Sequence, residues 1–294
     1  MMDKSKKKNG RLRSFIQLGF ALLLNGFAAG FAGGKIFTGK SKAFCVPVLN
    51  CYSCPGALGS CPIGSLQTLI GSGHGRFPFY VLGTMMLFGV VFGRLLCGFV
   101  CPFGFIQDLL AKIPVKKLAV PKKIAKPLRY LKYIILLLFV VVLPLFAKDA
   151  NGGAVPWFCK YICPAGTLEG GIPLILSNES LRQLAGALFG WKAAVLAVVL
   201  ILSIFIRRVF CRYLCPLGAF YALFNSYSFY RMSLDESKCT GCGKCESVCP
   251  MAVEVTKSIN SGECIRCGKC KHNCPVHAIS SGFSAPKEKE KAKE

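Results

Sequence analysis

Histidine is scarce in this chain: three residues among 294, none inside the long apolar stretches. That count excludes a haem held by two histidines within a bilayer. Acidic residues are few as well, 13 Asp and Glu against 37 Lys and Arg, giving a net charge of +24. The apolar stretches contain no Asp, Glu or Arg near their centres, which argues against a proton or sodium pump built by this chain alone. No dinucleotide fingerprint, phosphate loop or nucleophile–base pair is present. No base-stacking platform or groove-reading motif accompanies the basic residues, so their charge does not read as nucleic-acid binding. A secreted disulfide scaffold would be a short chain behind a cleavable leader, and neither pattern is seen.

What is present is apolar residue and cysteine. Hydrophobic residues make up 53% of the chain, too many for a soluble globule of this length. Four stretches approach the ~20 apolar residues that cross a bilayer core: Phe15–Ala32, Phe77–Leu96, Tyr130–Phe146 and Gly190–Ile206. Basic residues cluster before the first, between the second and third, and after the fourth. The excess of positive charge on cytoplasmic loops then predicts a multi-pass protein of the cell membrane with both termini in the cytoplasm. Loops 33–76 and 148–189 face outward in this scheme, and the glycine-rich stretch Gly71–Gly75 could let the first of them re-enter.

The chain repeats itself. CPIGSLQ at 61–67 resembles CPAGTLE at 163–169, and GRLLCGFVCPFGFIQDLL at 93–110 resembles RRVFCRYLCPLGAFYALF at 207–224. The halves, 12–114 and 127–226, are expected to enter the membrane in the same direction, as parallel repeats. Each Pro-x-Gly following a cysteine is expected to open a short helix whose free N–H groups point back at the sulfur.

From Ser233 the composition turns polar and cysteine-dense. CTGCGKCESVCP at 239–250 and CIRCGKCKHNCP at 264–275 are two runs of C-x2-C-x2-C-x3-C-P, in which the fourth cysteine serves the other cluster. One [4Fe–4S] cluster is therefore assigned to Cys239, Cys242, Cys245 and Cys274, the other to Cys264, Cys267, Cys270 and Cys249. Val253, Ile265 and Ile279 are expected to shield them. His272 and His277 read as surface residues, because cysteines fill all eight ligand positions. Lys238, Lys244, Arg266, Lys269 and Lys271 read as a solvated face that could also dock an acidic donor.

Ten cysteines remain. Cys97, Cys101, Cys211 and Cys215 fall at the cytoplasmic ends of the second and fourth spans, and two equivalent pairs supply the four thiolates of an inner membrane cluster. On the outer side an outer cluster from Cys54, Cys61, Cys159 and Cys163 is expected, with Cys51 as the alternative to Cys54 and Cys45 left over. Disulfides among the outer cysteines, or zinc at an all-cysteine site, are the competing chemistries.

The order of four membrane helices, C-x3-C-P after the second and fourth, and a two-cluster ferredoxin at the C-terminus resembles the NapH-like membrane polyferredoxins, related to the membrane region of the nitrous-oxide reductase accessory protein NosR. The resemblance covers residues 12–282. This chain departs from the pattern in CYSCPGALGSCPIG at 51–64 and in a third C-x3-C-P at 159–164.

The expected fold class is a membrane α-helical protein of four transmembrane helices in two parallel repeats, followed by a small α+β two-cluster bacterial ferredoxin domain. Its parts are a basic N-terminus (1–14), the transmembrane domain (15–232), the ferredoxin domain (233–282) and a disordered charged tail (283–294). The expected cofactors are [4Fe–4S] clusters, two in the ferredoxin domain and one or two at the membrane domain, and no haem. The expected function is electron transfer from cytoplasmic clusters through membrane clusters to a quinone or an outer redox partner, as a subunit with no substrate site of its own. Expected partners are the lipid bilayer, redox proteins or quinone and other electron-transfer subunits, with no nucleic acid. The alternatives are a thiol–disulfide reductant transporter and a redox factor for metalloenzyme assembly.

Overall fold

The computed structural model of the chain describes residues 2–72, 78–118, 120–149 and 153–284. The charged tail 285–294 and residues 73–75 of the glycine-rich stretch lie outside them. The described chain is helical, with a single two-stranded sheet near its C-terminal end.

In chain order the helices begin with α1 (Met2–Leu24), α2 (Ala28–Gly33), α3 (Pro62–Gly71), α4 (Phe79–Phe92), α5 (Leu95–Phe99) and α6 (Pro102–Leu110). A second series follows: α7 (Lys122–Phe146), α8 (Trp157–Tyr161), α9 (164–177), α10 (Glu179–Gln183), α11 (Ala187–Phe205), α12 (Val209–Tyr213) and α13 (Pro216–Phe224). The terminal module holds β1 (Tyr230–Leu234), α14 (Lys244–Ser247), α15 (Lys269–Asn273) and β2 (Ile279–Phe283).

Among the described residues two helices are long and apolar enough to cross a bilayer, α7 with 25 residues and α11 with 19. At 1.5 Å per residue they reach about 38 and 28 Å, against a hydrocarbon core of ~30 Å. Their outer faces expose Ile134, Leu137 and Phe146 on α7 and Trp191, Val198 and Ile201 on α11. Apolar surface on this scale suits contact with lipid. Within α7, Leu136–Val142 widens into π-helix. Pro144 has no N–H to offer the turn before it, and local π geometry is one way membrane helices absorb such a residue.

The first and second expected spans take a different form. Phe15–Ala32 is not one helix: it is divided at Asn25–Phe27 between α1 and α2. The Asn25 side chain turns back to the Ala21 carbonyl (3.1 Å), and the Phe27 N–H donates to Gly56 (3.2 Å). The segment 54–58 thus packs directly into the break. The second span is a 14-residue helix ended by Gly93 at φ +56°, which turns the chain into α5.

The terminal module is α+β. Strands β1 and β2 pair antiparallel, from Tyr230↔Phe283 to Leu234↔Ile279, so its first strand starts ahead of the expected boundary at 233. Helices α14 and α15 begin after Gly243 and Gly268, at φ +69° and +72°, positions that glycine fills without steric cost. The buried core runs without interruption from Val46, Leu49 and Ile63 through Met85 and Phe210 to Met251 and Ile265, so the helical part and the module share one interior.

The α1–α2 break depends on close backbone approach, since a Cβ on Gly30 would run into the Pro55 carbonyl oxygen. Gly30→Ala is therefore expected to cost about 1–3 kcal/mol through overpacking. Gly33→Ala, with nothing near its Cβ position, serves as the control. Thermal unfolding in detergent checks this: equal melting temperatures for the two variants would contradict the close approach.

Candidate metal centres

Four short helices begin at a cysteine followed by proline. Cys61, Cys101, Cys163 and Cys215 are the residues just before the first turns of α3, α6, α9 and α13. Proline fills the first helical position, where a missing N–H costs nothing. The glycine three residues after the cysteine then donates its N–H to the sulfur, at 3.3 Å for both Gly166 to Cys163 and Gly218 to Cys215. A helix N-terminus aimed at a sulfur favours the thiolate that iron requires.

The sixth residue after each of these cysteines ties the motif to another segment. Gln107 donates to the Cys211 sulfur (3.2 Å) and accepts from the Phe210 N–H (3.2 Å). Gln67 makes the matching pair of bonds, to the Cys159 sulfur (3.4 Å) and from the Phe158 N–H (2.9 Å). At the third position Glu169 accepts from the Cys51 N–H (2.9 Å). At the fourth, Tyr221 donates to the Pro47 carbonyl (2.9 Å). Sequence reading passed over all four, although the alignment of the repeated motifs puts them in one column.

Two arginines, each three residues before a cysteine, cross between the aligned segments. Arg94 donates to the Cys211 carbonyl (3.0 Å) and Arg208 to the Cys97 carbonyl (2.6 Å). Both are fully buried. Arg208 is held by Asp108 through two bonds of 3.0 and 2.6 Å, and Arg13 pairs with the same carboxylate. Burial pushes the Asp108 carboxyl up, but Arg208 and then Arg13 outweigh it and hold the group well below the ordinary carboxylate range. Around this frame Cys97, Cys101, Cys211 and Cys215 are all buried. Burial first, then the charges of the other three, raise the Cys101 thiol well above its usual value. The expected inner set is thus brought together.

The second set gathers around α3 and α9, with a change of membership. A Cβ at Gly166 would lie 3.6 Å from the sulfurs of both Cys163 and Cys51, and one at Gly64 would lie 3.8 Å from that of Cys159. The charges of Cys159, Cys51 and Cys61 all act on Cys163. Cys54, expected in this group, instead turns its thiol to the Asn25 side chain (3.4 Å), because 54–58 fills the α1–α2 break. Cys45 lies buried near Cys61. Burial, and next Cys61, push Cys159 up to about 12. All eighteen cysteines are free.

In the terminal module, Cys249, Cys264, Cys267 and Cys270 line one cavity together with Val253 and Ile265. Cys239, Cys242, Cys245 and Cys274 line another with Leu234 and Ile279. These are the two sets read from the spacing. His272 and His277 are exposed, as expected. Arg266 is not part of a solvated face: it is 2% exposed and donates to the carbonyls of Phe92 (2.8 Å) and Asn225 (2.5 Å). It adopts φ +51° where the first run has Gly241 at +67°. That conformation costs an ordinary residue roughly 1–2 kcal/mol, which the two docking bonds offset. At the same interface a Cβ on Gly98 would meet the Ile265 carbonyl at 2.5 Å, so the Cys97–Cys101 loop lies directly against the Cys264–Cys267 loop.

The donor chemistry fits iron–sulfur clusters. Every set is all-cysteine, and the N–H groups of Gly166, Gly218 and Val253 and the Gln67 and Gln107 amides point at sulfur, the outer-shell bonding that tunes such sites. Among the described residues no group of three His, Cys, Asp or Glu side chains is arranged to hold a single metal ion.

The 4Fe-4S binding domain family matches the chain twice, over residues 77–121 and 188–231, and the 4Fe-4S dicluster domain family matches residues 231–275. The chain is 30% identical to an uncharacterized protein of Methanocaldococcus jannaschii, over 68% of this chain and 76% of that one. It is 31% identical to the methylamine utilization ferredoxin-type protein MauN of Paracoccus denitrificans, over 55% of this chain and 50% of the relative. To the ferredoxin-type protein NapH of Haemophilus influenzae it is 27% identical, over 57% and 51%. The chain therefore spans between about half and three quarters of the length of these relatives. No solved structure matches it. With cysteine sets suited to [4Fe–4S] clusters and relatives of this kind, the chain belongs to the NapH-like polyferredoxins, the ferredoxin-type iron–sulfur proteins of electron transport.

Proposed function

We propose that the chain is a membrane-bound electron conduit holding four [4Fe–4S] clusters, which leads electrons between the cytoplasm and a partner at the outer face. The two ferredoxin sets, the inner set Cys97, Cys101, Cys211 and Cys215, and an outer set of Cys51, Cys61, Cys159 and Cys163 would hold them. When bound, such clusters supply one-electron carriers. The protein would cross the membrane four times as two parallel repeats, with both termini cytoplasmic; the distribution of Lys and Arg supports this orientation. The direction of flow follows from the partner. A quinone ring would find an entry beside Cys267 in the cleft lined by Phe15, Phe99 and Phe105 together with the cations Arg11, Arg13, Lys112 and Lys269.

One observation carries the reading. The inner thiols and Cys61, Cys159 and Cys163 of the outer set belong to a single buried core, and Tyr221 lies between them. Its ring, 0% exposed, lies within electrostatic reach of Cys97 and Cys101 on one side and Cys45 and Cys61 on the other. Its hydroxyl donates to Pro47, in the segment that leads to the outer cysteines. Helices α3 and α13 are in contact. A bilayer of ~30 Å would isolate two sets held at opposite surfaces. Motif helices that pack against each other inside the core shorten that separation and exclude water from it. The N–H groups of Gly166 and Gly218 and the amides of Gln67 and Gln107, which point at sulfur, favour clusters over the thiol–disulfide alternative.

Anaerobic purification followed by iron and acid-labile sulfide analysis is expected to yield about sixteen irons per chain, four for each cluster. About eight would confine the clusters to the ferredoxin module and refute the membrane sites. Cys97→Ser and Cys215→Ser are expected to abolish the same electron-paramagnetic signal, as ligands of one site.

Cys51→Ser is expected to remove about four irons and Cys54→Ser none. Iron loss from the second variant alone would restore Cys54 to the outer site.

A further inference from the structure

We propose that Glu263 is a positioning residue which fixes the ferredoxin module against the Cys97–Cys101 loop, by supplying a carboxylate that the second membrane segment lacks. In the first segment Asp108, seven residues after Cys101, neutralises the crossing Arg208 and takes a further cation, Arg13, from α1. The aligned residue seven after Cys215 is Ala222. The crossing Arg94 nevertheless has a carboxylate partner, and it comes from the other module. Arg94 meets Glu263 at 3.1 Å, and Lys132 of α7 meets the second oxygen of the same carboxylate at 2.5 Å.

The two clusters of charge therefore correspond member by member: a crossing arginine, a carboxylate, and a cation from the helix that opens each half. Only the carboxylate changes its origin. Arg94 and Lys132 are 0% exposed in their side chains and Glu263 only 13%. Removing one partner of a buried pair leaves an uncompensated charge, the most costly of electrostatic losses.

Local packing is built for this exchange. Gly262 lies so close to α13 that a Cβ there would meet the Ala222 carbonyl at 3.1 Å. The Gly262 carbonyl accepts a bond of 2.8 Å from Arg94. Asn225, just beyond α13, donates to the carbonyls of Ser261 (2.6 Å) and Cys264 (3.0 Å). Glu263 directly precedes Cys264, the first cysteine of the set nearest the membrane segment. The ion pair that completes the membrane core thereby also sets where that loop sits. The consequence for electron transfer rests on the function proposed above, whereas the docking does not.

Two full-length variants in nanodiscs separate tethering from charge balance. Glu263→Ala leaves Arg94 and Lys132 without a carboxylate. Ala222→Asp combined with Glu263→Ala returns one on α13, in the manner of Asp108, without linking the modules. Amide hydrogen exchange over 95–101 and 261–268 reports docking whether or not the inner site holds iron. Exchange in Glu263→Ala is expected to rise about tenfold or more in both segments. The double variant is expected to regain membrane abundance while exchange stays fast. Native protection in Glu263→Ala, or its return in the double variant, would overturn the proposal. An iron content of about eight per chain with the expected exchange pattern would count against the conduit and leave the docking intact.

Discussion

The structure turns on two guanidinium groups that must be satisfied where water cannot reach. Arg94 and Arg208 are fully buried, and each donates to the backbone carbonyl of the first cysteine in the opposite segment. Besides these hydrogen bonds, each arginine draws in a carboxylate that offsets its buried charge. Those carboxylates, Asp108 and Glu263, in turn anchor α1 and the ferredoxin module. The cysteine pairs are held opposite each other because the arginines beside them reach across, and arginine's rigid fork suits that double duty better than lysine would.

The same economy recurs around the sulfurs. A glutamine six residues after a Cys-Pro ties one motif to the next by accepting from a backbone N–H and donating to a sulfur. Gln67 and Gln107 do this in two different thiol sets, so the sets are variations on a single local design. Where the column changes to glutamate or tyrosine, the bond changes partner. Glu169 accepts from Cys51, and Tyr221 reaches Pro47. The second is the one whose hydroxyl reaches the segment that leads to Cys51, Cys54 and Cys61.

Family membership and the pattern of contacts speak to different levels. Relatives such as MauN and NapH are ferredoxin-type proteins, and the matching 4Fe-4S domain families establish the iron–sulfur character of the chain. The contacts made by Gly98, Arg266 and Glu263 concern how the ferredoxin module and the helical part meet. The interface is held by side-chain donors to backbone carbonyls and contains glycines where chains must touch, a form suited to a fixed junction rather than a mobile tether.

Cysteine spacing by itself sorted the ferredoxin cysteines into the two sets that line the two cavities, because C-x2-C-x2-C-x3-C-P keeps three cysteines together and lends the fourth to the other run. The repeat also announced the pairing of Cys97 and Cys101 with Cys211 and Cys215, and proline after cysteine announced the four motif helices. Apolar length alone was a poorer guide. It could not foresee that Asn25–Phe27 would divide the first span or that Gly93 would shorten the second, since both breaks are made by segments distant in sequence. The choice between Cys51 and Cys54 likewise belonged to tertiary structure. Both precede the same motif, and only the packing of 54–58 against α1 and α2 turns one thiol to Asn25 and leaves the other beside Cys163. Glu263 lay hidden for a related reason: an ion pair between modules leaves no periodicity in either one, and its partners become known only when burial removes every other source of charge.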